Sequence, residues 1–310
     1  PNEPAGGSWA MRTTQLDATI FAAVVALGCN LPLTAMADAA DLPYHHLVHT
    51  ADWYVREDCI RQGIIRLVDY HHQLPLTATF GPGTSAMSDG IRFGVAARSL
   101  FARHNPKLPV RRRGITLYDL ISDQGSQPYI DVMRCDLREA PAALDAALHH
   151  QTELPIKEHM TDTHGYTDLV FGLFELESRI FSPRIRDLPS QILYPLQPSH
   201  KQGTIGKLFR GTYIQPDRII RHWDEMHRIA ASLKDGTVTV KLLVSKLHAL
   251  KRQSGGHKGA QELGRIFKTI AALTYISDES YRRHIHRTLN KGELLHALAR
   301  DLFSANRACF

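Results

Sequence analysis

Cysteine is scarce in this 310-residue chain: Cys29, Cys59, Cys135 and Cys309 lie far apart, with no C-x-x-C pair among them. That spacing excludes a structural zinc knuckle or a disulfide framework and predicts reduced, buried, inert thiols in a cytoplasmic protein. Histidine is plentiful, yet no H-E-x-x-H occurs, so zinc hydrolase chemistry has no anchor. The pairs His45-His46, His71-His72 and His149-His150 put neighbouring side chains on different sides of a helix and read as surface or internally satisfied histidines. There is no internal repeat, no low-complexity tract and no long hydrophobic run. The nearest approach to a targeting signal is the apolar stretch 20–27, with Arg12 ahead of it and Ala35-Met36-Ala37 behind. It lies well inside the chain and Asp17 dilutes its positive flank. It also falls far short of the roughly 20 apolar residues a bilayer span needs, so a buried helix and no membrane association are expected.

What remains is a composition able to fold. Hydrophobic residues make up 43% of the chain and charged residues 22%, close to the average for globular domains and far from the signature of disorder. The length can support one large core or two smaller ones. Charge is unevenly spread: residues 201–310 carry 20 Lys+Arg against 9 Asp+Glu, whereas residues 1–200 carry 17 against 22. An acidic part followed by a basic part suits a site that gathers cations beside a surface that attracts a polyanion, of which nucleic acid is the commonest. Lys/Arg-rich helical surfaces are the plainer alternative.

Apolar spacing predicts two long helices over residues 14–40 and 44–70, the second marked by Ile60, Ile64, Ile65 and Val68. After the turn Gly81-Pro82-Gly83-Thr84-Ser85 come strand-like runs at 91–97, 115–122 and 129–135, the last two joined through Gln124-Gly125-Ser126-Gln127-Pro128. A helix over 140–150, a strand over 156–161, a helix over 166–176 and a strand over 184–188 complete the order β-β-β-α-β-α-β. That is the order of the ribonuclease-H-like fold, a mixed sheet flanked by helices with acids at strand ends. Beyond residue 202 the pattern is purely helical, at 217–233, 238–250, 260–273 and 279–303, with Ser277 expected to cap the last.

Two aspartates stand where such a sheet does chemistry. Asp89 opens the first strand in Ser88-Asp89-Gly90, and Asp162 ends a later strand in Met160-Thr161-Asp162-Thr163-His164-Gly165. On neighbouring strands they would supply the hard oxygen ligands that magnesium prefers, and a third carboxylate on a late helix would complete a two-metal site. Each has a plain reading too: Asp before Gly is often a turn residue, and Asp ahead of a helix is often an N-cap. His159 and His164 flank Asp162 without ligand spacing.

The stretch from Thr161 to Asp168, reading TDTHGYTD, and Phe181-Ser182-Pro183-Arg184-Ile185-Arg186-Asp187-Leu188 resemble the catalytic domain of the Tn3 family of replicative bacterial transposases. So do Thr50-Ala51-Asp52-Trp53-Tyr54, Ser88-Asp89-Gly90-Ile91-Arg92-Phe93, Ser122-Asp123-Gln124, Trp223-Asp224-Glu225, Glu262-Leu263-Gly264-Arg265-Ile266 and Leu289-Asn290-Lys291-Gly292-Glu293, all in the family's order. The resemblance implies a catalytic Asp-Asp-Glu set on Asp89, Asp162 and Glu293, with a helical insertion in the long interval before Glu293. Glu279, on the same predicted helix, is the alternative third acid. Leu294, Leu295 and Leu298 are expected to dock that helix on the sheet. Ile91, Gly94, Pro82 and Glu177-Ser178-Arg179 depart from the family pattern.

The resemblance further implies two Mg²⁺ ions, replaceable by Mn²⁺, DNA ends and target DNA as partners, and a homodimer when full length. Arg184, Arg186, Lys291 and Arg265 are the DNA-binding candidates, and Asp123 and His164 are secondary site candidates. The expected division is a helical lead-in over 1–75, a ribonuclease-H-like core over 76–200, a basic helical insertion over 201–285 and the Glu helix over 286–310. The resemblance covers only the family's catalytic part, so the chain is expected to be a fragment or decayed copy. It would then be either a metal-dependent strand-cleaving and strand-joining enzyme or an inactive remnant that binds DNA or a partner transposase, with a nuclease that cannot join strands as a third reading.

Overall fold

Four helices precede the first strand where spacing alone predicts two: α1 (Leu16–Gly28), α2 (Leu33–Ala40), α3 (Tyr44–Trp53) and α4 (Glu57–Gln73). The breaks have local causes. Asn30 and Asp41 adopt left-handed backbone at φ 52° and 50°, and Pro32 and Pro43 stand immediately before α2 and α3. A proline lacks the N–H a continuing helix needs and disfavours helical backbone in the residue ahead of it. Ala22, Ala23, Ala37 and Leu47 form a small core among α1 to α3. The apolar run in α1 is therefore buried on one side only, with Phe21, Val24 and Val25 exposed. The computed structural model describes residues 16–95, 99–104, 113–135, 139–162, 166–197, 203–249 and 254–302, and no described helix is long and apolar enough to cross a membrane.

A mixed sheet follows, built from β1 (Ser85–Val95), β2 (Arg103–His104), β3 (Arg113–Ser122), β4 (Tyr129–Arg134), β5 (Glu158–Thr161) and β6 (Ile180–Phe181). Its order is β2-β3-β1-β5-β6, with β4 also pairing β3. β1, β3 and β4 form an antiparallel meander, whereas β5 and β6 run parallel to β1. The hairpin expected between residues 122 and 129 is present. β1 starts six residues earlier than expected, so Asp89 lies inside the strand rather than at its opening. The strand expected over 184–188 is displaced to Ile180–Phe181. Ser182 and Arg184 still donate backbone hydrogen bonds to His159 and Thr161 at 2.9 Å each, but no regular strand continues beyond Arg184, and the chain turns at Leu188–Ser190.

Period-two alternation sorts the two faces. Ala86, Tyr118 and Leu120 face α5 (Ala140–His149) and α6 (Asp168–Leu176), where Phe174 stacks on Phe181 at 4.4 Å and Phe171 meets it edge-on at 5.0 Å. Burial of each such ring contributes about 1.5–3 kcal/mol. Met87, Ile121 and Met160 face the other way, onto Ile285 and Leu289. Those two residues belong to α11 (Glu279–Leu302), the last of five helices after α7 (Pro216–Arg221), α8 (Trp223–Lys234), α9 (Val240–Ala249) and α10 (Gly255–Ser277).

Three further expectations are corrected here. Ser277 belongs to α10, and Asp278 caps α11 instead, its Oδ1 accepting from the backbone N–H of Ser280 and Tyr281. The side of α11 that docks is Ile285, Thr288, Leu289, Gly292 and His296, with Leu295 packed against it as expected, while Leu294 is 71% and Leu298 52% exposed. Cys59 is exposed and Cys29 and Cys135 are half-buried, so no described thiol is fully enclosed.

Candidate active site

β1 and β5 are direct neighbours, with Ser88 opposite Thr161. Asp89 therefore lies two residues beyond Met87 on one strand, and Asp162 two residues beyond Met160 on the other. Both carboxylates leave the α11 face at the same end of the sheet, for the same reason that the two methionines share a core. α11 brings Glu293 to this end. Arg184 joins two of the acids: its Nε and Nη2 donate to Asp162 Oδ1 at 3.0 and 2.8 Å, and Nη2 lies 3.7 Å from Glu293 Oε1. Asp89 and Glu293 line one cleft of about 940 Å³ between β1 and α11, together with Arg92, Asn290 and Arg300. The three acids are accessible, with side-chain exposures of 39% for Asp89, 38% for Asp162 and 57% for Glu293.

Neither plain reading of the aspartates describes what is seen. Asp89 sits within a strand, its Oδ1 accepting from the N–H of Gly90 at 2.8 Å. The N-cap of α6 is Thr167, whose hydroxyl accepts from Val170 N at 3.3 Å.

The site also contains two residues that sequence reasoning passed over. Asp119 of β3 is the register partner of Asp89, so two carboxylates stand side by side on one face. Like charges directly opposite destabilise a sheet unless a cation compensates. His296 is that cation. Its Nε2 lies 2.9 and 3.0 Å from the two Asp119 oxygens, and its Nδ1 lies 3.6 Å from Asp89 Oδ2. Acceptors face both ring nitrogens, an arrangement that favours the protonated ring. Burial by itself would lower its pKa, but the hydrogen bond to Asp119, the contact with Asp89 and both negative charges raise it to about 9. The one available clue was spacing: His296 follows Glu293 by three positions, one helical turn.

The remaining candidates are dispersed. Asp123 is buried, accepts from Gly83 N at 2.9 Å and holds the turn before β1; burial raises its pKa. Lys291 Nζ reaches the carbonyl of Phe80 at 3.3 Å. Arg186 is 65% exposed, 3.9 Å from Asp162 Oδ2. Arg265 is directed elsewhere: it pairs with buried Glu262 at 2.8 Å and with Asp168 at 3.5 Å, and stacks 5.0 Å over the Tyr194 ring. Glu279 pairs with Arg283 at 2.7 Å in the first turn of α11. His164 lies outside the described residues. His159 is buried with Nε2 2.7 Å from Ser88 Oγ, on the sheet face opposite Asp89.

Sheet and site together define an α/β domain in which Asp89 inside β1 and Asp162 just past β5 stand beyond the paired part of two adjacent parallel strands, with Glu293 of α11 beside them. Residues 7–310 match the family described as the Tn3 transposase DDE domain, and the chain belongs to that family. It is 40% identical over 285 residues to the transposase for transposon Tn1546 of Enterococcus faecium, covering 92% of this chain and 29% of the relative. It is 37% identical to the transposase for transposon Tn501 of Pseudomonas aeruginosa, with coverage of 92% and 29%. It is 36% identical to the transposase for transposon gamma-delta of Escherichia coli K12, with coverage of 96% and 30%. The chain thus spans about three tenths of the length of these relatives.

Proposed function

We propose that this chain is the catalytic part of a DNA transposase, with Asp89, Asp162 and Glu293 as its metal-holding acids and a ribonuclease-H-like core over 76–200. The observation that carries the reading is the convergence of Asp89, Asp162 and Glu293 from β1, β5 and α11, three elements far apart in sequence, at one end of the sheet. Their donor chemistry fits magnesium, a hard ion that takes carboxylate oxygens and completes its shell with water and phosphate oxygens. Among the described residues no three of His, Cys, Asp and Glu stand close enough to enclose an ion, and Arg184 lies between Asp162 and Glu293. A bound pair of ions would polarise the attacked phosphate and lower the pKa of the incoming oxygen.

The rest falls to the chain itself. The reaction is two in-line displacements at phosphorus: water opens a phosphodiester at a transposon end, and the freed 3′-hydroxyl attacks target DNA. The cleft beside Asp89 and Glu293 holds the strand, and Arg184, Arg186 and Lys291 contribute positive charge to its phosphates, a role that positions DNA without reading sequence. The helices of 201–285 form a basic insertion whose outer face meets the duplex.

The test is cleavage of plasmid DNA by the purified chain. Nicking should require Mg²⁺ or Mn²⁺. Asp89→Asn, Asp162→Asn and Glu293→Gln should each lower the rate by about 100-fold or more, as loss of several kcal/mol of transition-state stabilisation demands, with DNA binding retained. Glu279→Gln should cut like the parent. Cleavage that needs no metal, or that survives these substitutions, sinks the assignment. DNA binding without cleavage would mark an inactive remnant, and cleavage without joining of pre-cut 3′-hydroxyl ends would mark a nuclease.

A further inference from the structure

Glu293 is half exposed on a helix, and its ion pair with Arg184 at 3.7 Å is weaker than the grip of Asp162 on the same guanidinium at 2.8 Å. Its position has to be set by how α11 sits on the sheet. Two buried contacts fix that seat, one on either side of Glu293 in sequence. At Gly292 the helix lies against Met87 of β1 so closely that a Cβ would overlap the methionine sulfur. One turn further on, His296 enters between β1 and β3 and binds both oxygens of Asp119. Asp119 and His296 are each 3% exposed, and Gln127 Nε2 donates to Asp119 at 2.8 Å, so the carboxylate is held by two donors, one of them shared between both its oxygens.

We infer that His296 is a positioning residue: clamped by Asp119 and facing Asp89, it locks α11 against the strand that carries Asp89, so that Glu293 opens into the same cleft. The inference rests on the reading of Asp89, Asp162 and Glu293 as metal-holding acids. A simple structural histidine would need only Asp119. The placement of Nδ1 toward Asp89 ties the pair to the site, and the cleft that contains Asp89 and Glu293 has His296 in its wall. Outer groups that orient metal-holding side chains typically account for 10–100-fold in metal affinity.

The experiment is a Mn²⁺ titration of the whole chain followed by electron paramagnetic resonance, with circular dichroism to check folding. Parent, Glu293→Gln, His296→Ala and the combination of the two form a double-mutant cycle. His296→Leu, which fills the space without the hydrogen bonds, replaces His296→Ala if that variant does not fold. A fifth protein carries Asp119→Asn with His296→Gln, which keeps a side-chain hydrogen bond across the same gap with no change in net charge. Loss of His296 should weaken Mn²⁺ binding by about 10–100-fold, and in the Glu293→Gln background it should make little further difference, because it acts through Glu293. The paired substitution should bind within about threefold of the parent. Undiminished binding in His296→Leu, additive effects in the cycle, or a paired variant as weak as His296→Leu each overturn the inference while the acids stand. A parent that binds Mn²⁺ no better than Glu293→Gln overturns the reading of the acids and this inference with it.

Discussion

His159 and His150 are held neutral by their surroundings. Burial, with a smaller push from the Arg179 charge, depresses His159 to about 3; burial, with Arg179 again the next cause, depresses His150 to about 4. In the unfolded chain each takes up a proton near pH 6.5, whereas the folded chain refuses it until much lower. Their stabilising contribution is therefore present above pH 6.5 and lost as pH falls below it, at up to about 1.4 kcal/mol per pH unit for each. His296 works in the opposite window. Held up at about 9, it contributes fully below pH 6.5 and loses that contribution as pH rises through 9. Melting temperature against pH should peak near neutrality, and His159→Gln should flatten the acid limb; an unchanged acid slope would show that His159 is not held neutral. At this same scale the proposed acids Asp89, Asp162 and Glu293 could be picked out in the sequence, since they lie in motifs that resemble the family. Asp119 was not, because its importance comes only from standing across the sheet from Asp89.

At the level of elements, the contact between α6 and α10 carries the union of the sheet with the late helices. Gly172 and Gly264 let these helices touch: a Cβ on Gly264 would overlap the carbonyl oxygen of Asp168, and one on Gly172 the carbonyl oxygen of Ala260. Backbone cannot give way as a flexible side chain can. Gly264→Ala should cost about 2–3 kcal/mol, read as a melting temperature lower by roughly 3–5 °C for a chain of this length. Gly63→Ala is the control, because nothing lies within 4 Å of its added methyl and alanine favours the helix. Equal stability of Gly264→Ala and parent would refute the close contact. The strands β1, β3, β4 and β5 and most helices were visible in hydrophobic periodicity; β2, the shift of the last strand to Ile180–Phe181 and the division of 217–233 into α7 and α8 were not. The breaks in α1 to α4 were not, because left-handed residues and prolines interrupt the helices without disturbing the apolar spacing.

Over the whole molecule, the basic excess of residues 201–310 is partly absorbed. Arg218 and Arg265 neutralise buried Glu262, Lys268 meets Asp168 at 2.9 Å, and Lys241 pairs with Asp131. The positive surface open to a polyanion is thus smaller than the count of 20 basic residues against 9 acidic ones suggests. DNA affinity should still fall log-linearly with salt, by at least about tenfold between roughly 50 and 200 mM, because each phosphate contact releases a counterion. A flat salt response would remove DNA from this surface.

By itself the sequence determined most of the succession of strands and helices and the motifs that hold the proposed acids, because period, turn residues and short motifs are local properties of a chain. Only the tertiary structure decided which acid stands opposite which, which side of α11 is buried, and which arginines are spent on carboxylates. Those facts depend on strand register and helix docking, which set Asp119 across from Asp89, seat His296 against Asp119 and bring Arg184 to Asp162 and Glu293.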